Sequence, residues 1–226
     1  ELGDLSFSSE KSHKVGLTLS HIKNNVRITF NPYINSITDF IFINPTEIQQ
    51  TVRGSFQVWE YMQTNARIWG IDSDINYNFI EKFTLKSQIS FLKGIDTTNE
   101  EPLINMPPPN FKNEISYVNP KFHNFLLSIQ SDYTFKQNDF PNNNFEVFVP
   151  TTGKMELVDV SSSPEAYQLL NFRSSIDLST ENKSKIKIGL SINNLLDKSY
   201  KNYLNRMRNY SHDLGRNIML NINVNY

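Results

Sequence analysis

Asp72 and Asp74, two residues apart, are a carboxylate pair whose types and spacing could do chemistry. On a strand they share one face about 7 Å apart, a separation that some catalytic carboxylates use. No nucleophile–base arrangement accompanies them, so they read as hydrated carboxylates paired to cations of neighbouring strands, and the chain is not expected to be an enzyme. His212-Asp213 offers a borderline and a hard metal ligand. The four histidines, His13, His21, His123 and His212, show no His-x-x-x-His spacing, so a plain surface histidine competes with the metal reading. The richest cluster is Tyr200, Lys201, Tyr203, Arg206, Arg208 and Tyr210. Aromatics interleaved with arginines can stack on and pair with a planar anionic ligand, and equally can form an interfacial belt whose arginines meet lipid phosphate. Trp59 and Tyr61 invite the same two readings, with the inward one requiring that no bulge intervene between them and Gly70. No phosphate-cradling glycine loop or nucleic-acid motif occurs. No cofactor is expected.

The elements that carry these residues are strands. The last, Asn217 to Tyr226, sets Ile218, Leu220, Ile222, Val224 and Tyr226 against Asn217, Met219, Asn221, Asn223 and Asn225. Side chains alternate along a strand, so one face is oily and the other wet. Four asparagines on the wet side suit a hydrated lumen better than ordinary exposed sheet, because Asn is a poor strand former. Eight earlier strands follow the same rule, near residues 13–22, 26–43, 55–77, 84–91, 110–118, 124–135, 170–178 and 185–193. The second is expected to kink near Pro32 and to give way to a polar connector from Asn44 to Gly54.

The chain has 226 residues, net charge −1 and no cysteine. The charge suggests no nucleic-acid partner, and the missing cysteines rule out disulfides, thiolate metal sites and a cysteine nucleophile. No apolar run is long enough for a transmembrane helix, and Glu1 to Ser12 lacks the basic start and apolar core of a signal peptide. Any targeting segment is expected upstream.

Two regularities emerge only across strands. Connections alternate short and long to the end of the chain. Arg27, Asp72, Asp74, Lys86, Glu114, Asp132, Arg173, Asp177, Lys185 and Lys187 all lie on the polar parity. Both are expected of an outer-membrane barrel, where Lys or Arg on the lipid face at mid-bilayer costs about 2–4 kcal/mol. A soluble sandwich, with loop ends roughly alike, predicts neither. Nine strands leave an open edge, which lipid forbids. The expected fold is therefore all-β: a transmembrane antiparallel barrel of which residues 1–226 form one partial domain.

Three stretches carry a family resemblance. Gln63-Thr64-Asn65-Ala66-Arg67-Ile68-Trp69-Gly70-Ile71-Asp72 resembles a barrel strand in which an amide residue, an Ala and a Gly-hydrophobic-Glu follow in order, with Asp72 where Glu is usual. Ile192-Asn193-Asn194-Leu195-Leu196-Asp197-Lys198-Ser199-Tyr200 resembles an "hxNLhDKxY" box before the last loop. Gly215-Arg216-Asn217 and the alternating strand after it resemble the family's ending, with Tyr226 in place of the commoner Phe. Met106-Pro107-Pro108-Pro109 is a looser match. The family is the TonB-dependent outer-membrane receptors, with a composition like that of the Bacteroidetes.

The resemblance implies a barrel of about 22 strands around an N-terminal plug. The earlier strands and the plug are expected outside this sequence. It further implies a bacterial outer-membrane receptor importing a scarce ligand, such as a ferric siderophore, haem or another nutrient, with energy relayed through the TonB complex by way of the plug. Expected partners are outer-membrane lipid and lipopolysaccharide, the barrel-assembly machinery, which would read Tyr226, and the imported small ligand. Asp72, Asp74, Arg173 and Asp177 would line the lumen against the plug. A passive porin or diffusion channel, and a soluble all-β surface binding module, remain open alternatives.

Overall fold

The computed structural model describes residues 6–52, 54–149, 151–159, 161–179 and 185–225. All regular structure among them is β. The strands are β1 (Lys11–Gly16), β2 (Leu19–Lys23), β3 (Val26–Thr51), β4 (Gly54–Ile80), β5 (Phe83–Asp96), β6 (Glu101–Pro102), β7 (Asn110–Asn119), β8 (Phe125–Thr134), β9 (Phe145–Val149), β10 (Lys154–Val158), β11 (Tyr167–Ser179), β12 (Lys185–Asn193) and β13 (Asn217–Asn225). The main sheet runs β1-β3-β4-β5-β7-β8-β11-β12-β13, with β2 continuing β1 along β3 and β6 paired to β5. Every pairing among the described residues is antiparallel, the strands of the main path follow chain order, and β13 pairs there only with β12. The sheet is an open arc, part of a barrel wall. Its nine strands match the nine expected, and Lys185–Asn193 pairs with the closing strand as alternation required.

Cross-strand register turns nine separate alternations into two continuous faces. Ile176, Ile188 and Ile222 form one row. Phe83, Tyr117 and Leu127 form another, and Val15, Ile34 and Trp69 a third. All lie on one face, whose side chains stay solvent-accessible: Leu220 is 66% exposed and Ile115 53%. Leaving so much apolar surface uncovered is costly in water and costs nothing in hydrocarbon. Aromatics border the band at both ends. Tyr77, Phe79, Phe83 and Tyr117 are linked by ring contacts of 4.9–5.9 Å at the end of the short turns. Trp69 with Phe91 at 5.2 Å and Tyr133 with Phe135 at 4.7 Å mark the end of the long loops. Tyr77 and Trp69 are eight residues apart, about 26 Å along a strand, and less across the tilt of the strands. That agrees with an apolar band about 25 Å tall between two aromatic girdles.

The turns at the girdled short end use residues that tolerate left-handed backbone. Asn24 has φ 51°, and His123 and Asn124 have φ 51° and 49°. Two consecutive left-handed residues match the twist of a tight hairpin. The Asn25 side chain donates to Asn78 O at 2.7 Å and ties the first turn to the next strand.

Four expectations need correction. β3 passes through Pro32 without interruption; its partner breaks instead, between β1 and β2, because Pro32 has no N–H to donate and only its carbonyl is used, by Leu17 N at 3.0 Å. The irregularities of β3 fall beyond Ile37, where Asp39 takes φ 60°, and beyond Pro45. Asn44 to Gly54 is no connector: β3 and β4 continue as a two-stranded hairpin well past the end of β5 at Asp96, which pairs with Ala66. The long connection expected before the 170–178 strand contains a separate hairpin, β9–β10. Finally, Arg67 and Lys93 lie on the apolar parity. Both sit at the loop end, where Lys93 Nζ meets Asp139 at 3.2 Å, so neither charge enters the middle of the band.

The small core sits on the opposite face, at the loop end. Ile37, Ala66 and Leu103 are buried against Phe40, Ile68 and Met106. Ala66 and Ile68 share the parity of Asp72, so the segment between β5 and β7 folds inward over the polar face. Gly94 makes room for it: a Cβ there would lie 2.6 Å from Met106 Sδ.

Candidate ligand-binding surface at the loop end

The polar face is a lattice of paired amides, hydroxyls and carboxylates. Asp72 Oδ1 accepts from Ser90 Oγ at 2.6 Å, and Asp74 Oδ2 from Asn76 Nδ2 at 3.2 Å. Asp132 accepts from Gln130 Nε2 at 2.6 Å and from Asn171 Nδ2 at 2.9 Å. Asp177 lies 4.0 Å from Lys187 Nζ and accepts from Asn124 Nδ2 at 3.2 Å. Arg173 is exposed on the same face, opposite Ser128 and Ser191. Asp72, Asp74, Arg173 and Asp177 lie on the face opposite the apolar one. Asp72 and Asp74 bond to separate neutral neighbours, Ser90 and Asn76, and among the described residues neither forms the expected ion pair. A polar concavity beside them is completed by Lys112, Gln88 and Asn110.

Above this wall the last loop, 194–216, is held at its neck. Asn194 is buried with φ 52°; its Oδ1 accepts from Lys198 N at 2.8 Å and its Nδ2 donates to Lys198 O at 2.9 Å. Its own N–H donates to Asn171 Oδ1 at 2.9 Å. Asp197, with φ 53°, accepts the Arg216 N–H at 2.8 Å, and Gly215 lies against the same oxygen, where a Cβ would come within 2.7 Å. Asn and Asp tolerate the left-handed region and bond to nearby backbone, which is why they occupy both corners. Two of the three stretches that carry the family resemblance, 192–200 and the one opening at Gly215, are therefore one object, a clasp joining the loop's entry to its exit. Asp197→Ala removes a charge-assisted hydrogen bond and is expected to cost about 1–2 kcal/mol locally. Faster protease cleavage within 198–215, with the β-signal in circular dichroism unchanged, is the outcome that checks it.

Inside the clasped loop Asp213 is a structural hub. Its carboxylate accepts from Asn202 N at 2.6 Å and from Asn205 Nδ2 at 2.9 Å, and its N–H donates to Tyr200 O at 2.9 Å. His212 beside it is exposed. No group of three or more His, Asp or Glu side chains suited to a metal ion occurs among the described residues, so nothing joins His212 and Asp213 to complete a site.

The aromatic–arginine cluster divides in two. Tyr203 and Arg208 are buried, at 4% and 6% exposure. Arg208 Nη1 donates to Tyr203 O at 2.8 Å and its guanidinium lies 4.8 Å from the Tyr203 ring. Phe140 packs at 6.2 Å, and the Asn105 backbone amide bonds the phenol. Burial pushes the Tyr203 phenol above its ordinary value, against the pull of Arg208 and the Asn105 amide, and the same burial lowers Arg208. Burial, then the Asp213 charge, raises Tyr200 as well. Tyr203 and Arg208 are packed between the loops. Gln137, also buried, completes this layer by donating to Met106 O at 2.7 Å.

Arg206 and Tyr210 are exposed. The Arg206 guanidinium lies 5.3 Å from the Trp59 ring, bringing the last loop onto the β3–β4 hairpin. Asn143 Nδ2 donates to Asn44 Oδ1 at 3.1 Å and brings the β8–β11 segment to the same hairpin. Trp59 and Tyr61 meet the condition set for them, since both register shifts lie in β3 and β4 is unbroken from Gln57 to Tyr77. The inward reading fails nonetheless: counting by twos keeps them on the parity of Trp69 and Ile71, the apolar face. What makes Trp59 part of the loop end is the projection of its hairpin beyond the sheet. Tyr226 lies outside the described residues. Asn44, Asn143, Gln137 and Phe140 escaped the sequence reading; Asn194 and Asp197 carried a usable signal, two left-handed-tolerant residues three apart after a strand.

One apolar face between aromatic girdles, one hydrated face and long loops folded over the latter define a membrane-spanning β-barrel wall. A family model described as "TonB dependent receptor-like, beta-barrel" matches residues 2–195, and the chain belongs to that family. The family is one of transporters and receptors rather than enzymes. No curated protein sequence matches the chain. Among solved structures it is similar to the copper transporter OprC, with TM-score 0.74 and 14% identity over 96% of this chain and 31% of that one. It is similar also to the FrpB iron transporter of Neisseria meningitidis, with TM-score 0.65 and 13% identity over 96% and 31%. The siderophore receptor PirA of Acinetobacter baumannii aligns with TM-score 0.57 and 15% identity over 92% and 30%. The chain spans about a third of the length of these structures.

Proposed function

We propose that this chain forms part of the wall and outer loops of a bacterial outer-membrane receptor that imports a scarce ligand, such as a ferric or copper chelate, with energy relayed by TonB. The observation that carries the reading is the pair of continuous faces, girdled and apolar outside, hydrated inside, in a chain of this family. The layer of Leu103, Met106, Tyr203 and Arg208 folded over the polar face favours a closed, gated mouth over a passive channel. Wall residues Asp72, Asp74, Arg173 and Asp177 would face the plug; Arg206, Trp59 and Tyr210 would meet ligand or lipopolysaccharide. Expected further partners are the TonB complex and the barrel-assembly machinery.

Cells dependent on this receptor under iron or copper restriction test the proposal. Uptake of the labelled chelate should require TonB, and Trp59→Ala or Arg206→Ala should reduce it about two- to tenfold, the range of an exposed to partly desolvated cation–π contact. Uptake that persists without TonB and admits unrelated small solutes would support the passive channel instead.

A further inference from the structure

Three adjacent strands place a polar row in the apolar face, next to the loop-end row of Phe111 and Tyr133. Ser87 of β5, Asn113 of β7 and Ser131 of β8 are direct cross-strand partners. The rows on either side are apolar or aromatic: Ile89, Phe111 and Tyr133 toward the loops, and Leu85, Ile115 and Ile129 toward the turns. The row is closed laterally by Ile75, opposite Ser87, and by Leu170, opposite Ser131. On the turn side of Asn113 and Ser131 lies a hollow of about 480 Å³, walled by Phe83, Leu85, Ile115, Tyr117, Leu127 and Ile129.

The hydrogen bonding in this row is incomplete in one direction. Ser87 Oγ donates to Asn113 Oδ1 at 2.7 Å, and Gln168 Nε2 donates to Ser131 Oγ at 2.7 Å. A lone serine on such a face satisfies itself on a strand carbonyl, as Ser73 Oγ does with Thr29 O at 3.0 Å. Among the described residues, Asn113 Nδ2 meets no acceptor. In hydrocarbon an amide N–H without an acceptor is costly, and polar side chains at membrane depth mark sites that bind something. Asn113 is two residues from Phe111, about 7 Å along the strand toward the turns. That is just inside the loop-side edge of the apolar band, where acyl chains of the outer leaflet carry their carbonyl and hydroxyl oxygens.

We propose that this hollow binds one acyl chain of an outer-leaflet lipid, with its carbonyl or hydroxyl oxygen accepting from Asn113 Nδ2 and the Ser131 hydroxyl beside it. The patch is three residues wide and flanked by apolar side chains except for Gln168 at its β11 corner, which suits a single chain and not a second protein face. The site rests on the membrane-spanning reading above.

The test uses the whole receptor purified from its membrane and reconstituted in nanodiscs of three compositions: a diester phosphatidylethanolamine, its diether analogue, and lipid A with hydroxylated acyl chains. Native mass spectrometry after detergent release counts retained lipid. Wild type should retain the diester lipid, lipid A or both roughly fivefold better than the diether, the scale of one net hydrogen bond. Preference for both points to the carbonyl, and preference for lipid A alone to the hydroxyl. Asn113→Leu, after which Ser87 Oγ can turn to a strand carbonyl as Ser73 Oγ does, should insert normally and lose the preference. Equal retention of all three lipids by wild type, or an unchanged preference in Asn113→Leu, overturns the site. A photo-crosslinker at Ile115 that captures a polypeptide in place of lipid overturns it too. Failure of the receptor to enter nanodiscs would overturn the membrane reading itself and the site with it.

Discussion

Leu220→Arg is expected to cost the barrel about 2–4 kcal/mol, and Asn221→Arg close to nothing, although the two residues are neighbours in β13. Leu220 pairs with Leu190 on the apolar face, and Asn221 pairs with Gly189 on the hydrated one. A guanidinium at 220 must either lie in hydrocarbon or drag headgroups and water toward the middle of the band. At 221 it enters a lattice of amides and lysines already wet. Folding titrations of the whole receptor into lipid vesicles, read by heat-modifiable gel mobility, measure the difference. Equal tolerance of arginine at both positions would mean that the two faces have been assigned the wrong way round.

Gly70→Val is expected to be comparably damaging for a steric reason. A Cβ at Gly70 would lie 2.5 Å from Phe91 O and 2.6 Å from Tyr33 Oη. The tyrosine could swing aside, losing the Lys14 ammonium that sits 4.9 Å from its ring. The carbonyl cannot move without opening the β4–β5 ladder. Overpacking of this kind costs about 1–3 kcal/mol, and valine's branching puts the value at the upper end. Gly16, on the other side of Tyr33, is the control: a Cβ there would meet Tyr33 Cβ at 3.7 Å, an ordinary contact, so Gly16→Ala should be nearly silent in the same titration. Damage from both substitutions alike would show that Tyr33 does not pack over Gly70.

The wall was legible because membrane-spanning strands obey a single strong rule. Lipid on one side and water on the other force an alternation that survives in sequence, so Leu220 and Asn221, or Ile188 and Lys187, declare their faces without help. Beyond the girdles that rule lapses. The outer halves of β3 and β4 project past the rest of the sheet, so Asn44 and Pro45 looked like a connector although Asn44 pairs with Glu60 and Pro45 with Trp59. Pro32 misled for the complementary reason: a missing donor disturbs the strand that would have received it, and the break appeared in β1 and β2. In the loops, Arg206 and Arg208 are indistinguishable by type. Only tertiary packing decides that one lies on Trp59 and the other is buried under the Tyr203 carbonyl. The Asn194–Asp197 corner was recognised as part of a motif, but its purpose needed Gly215 and Arg216 in view.

The projecting β3–β4 hairpin has a mechanical consequence. Two later segments of the chain return to it, through Asn143 at Asn44 and Arg206 at Trp59. The arc of nine strands is thus strung across its open side like a bow, with the hairpin's contacts as the string. At the loop end the last loop and the β8–β11 segment are thus tied back to the hairpin that begins the wall.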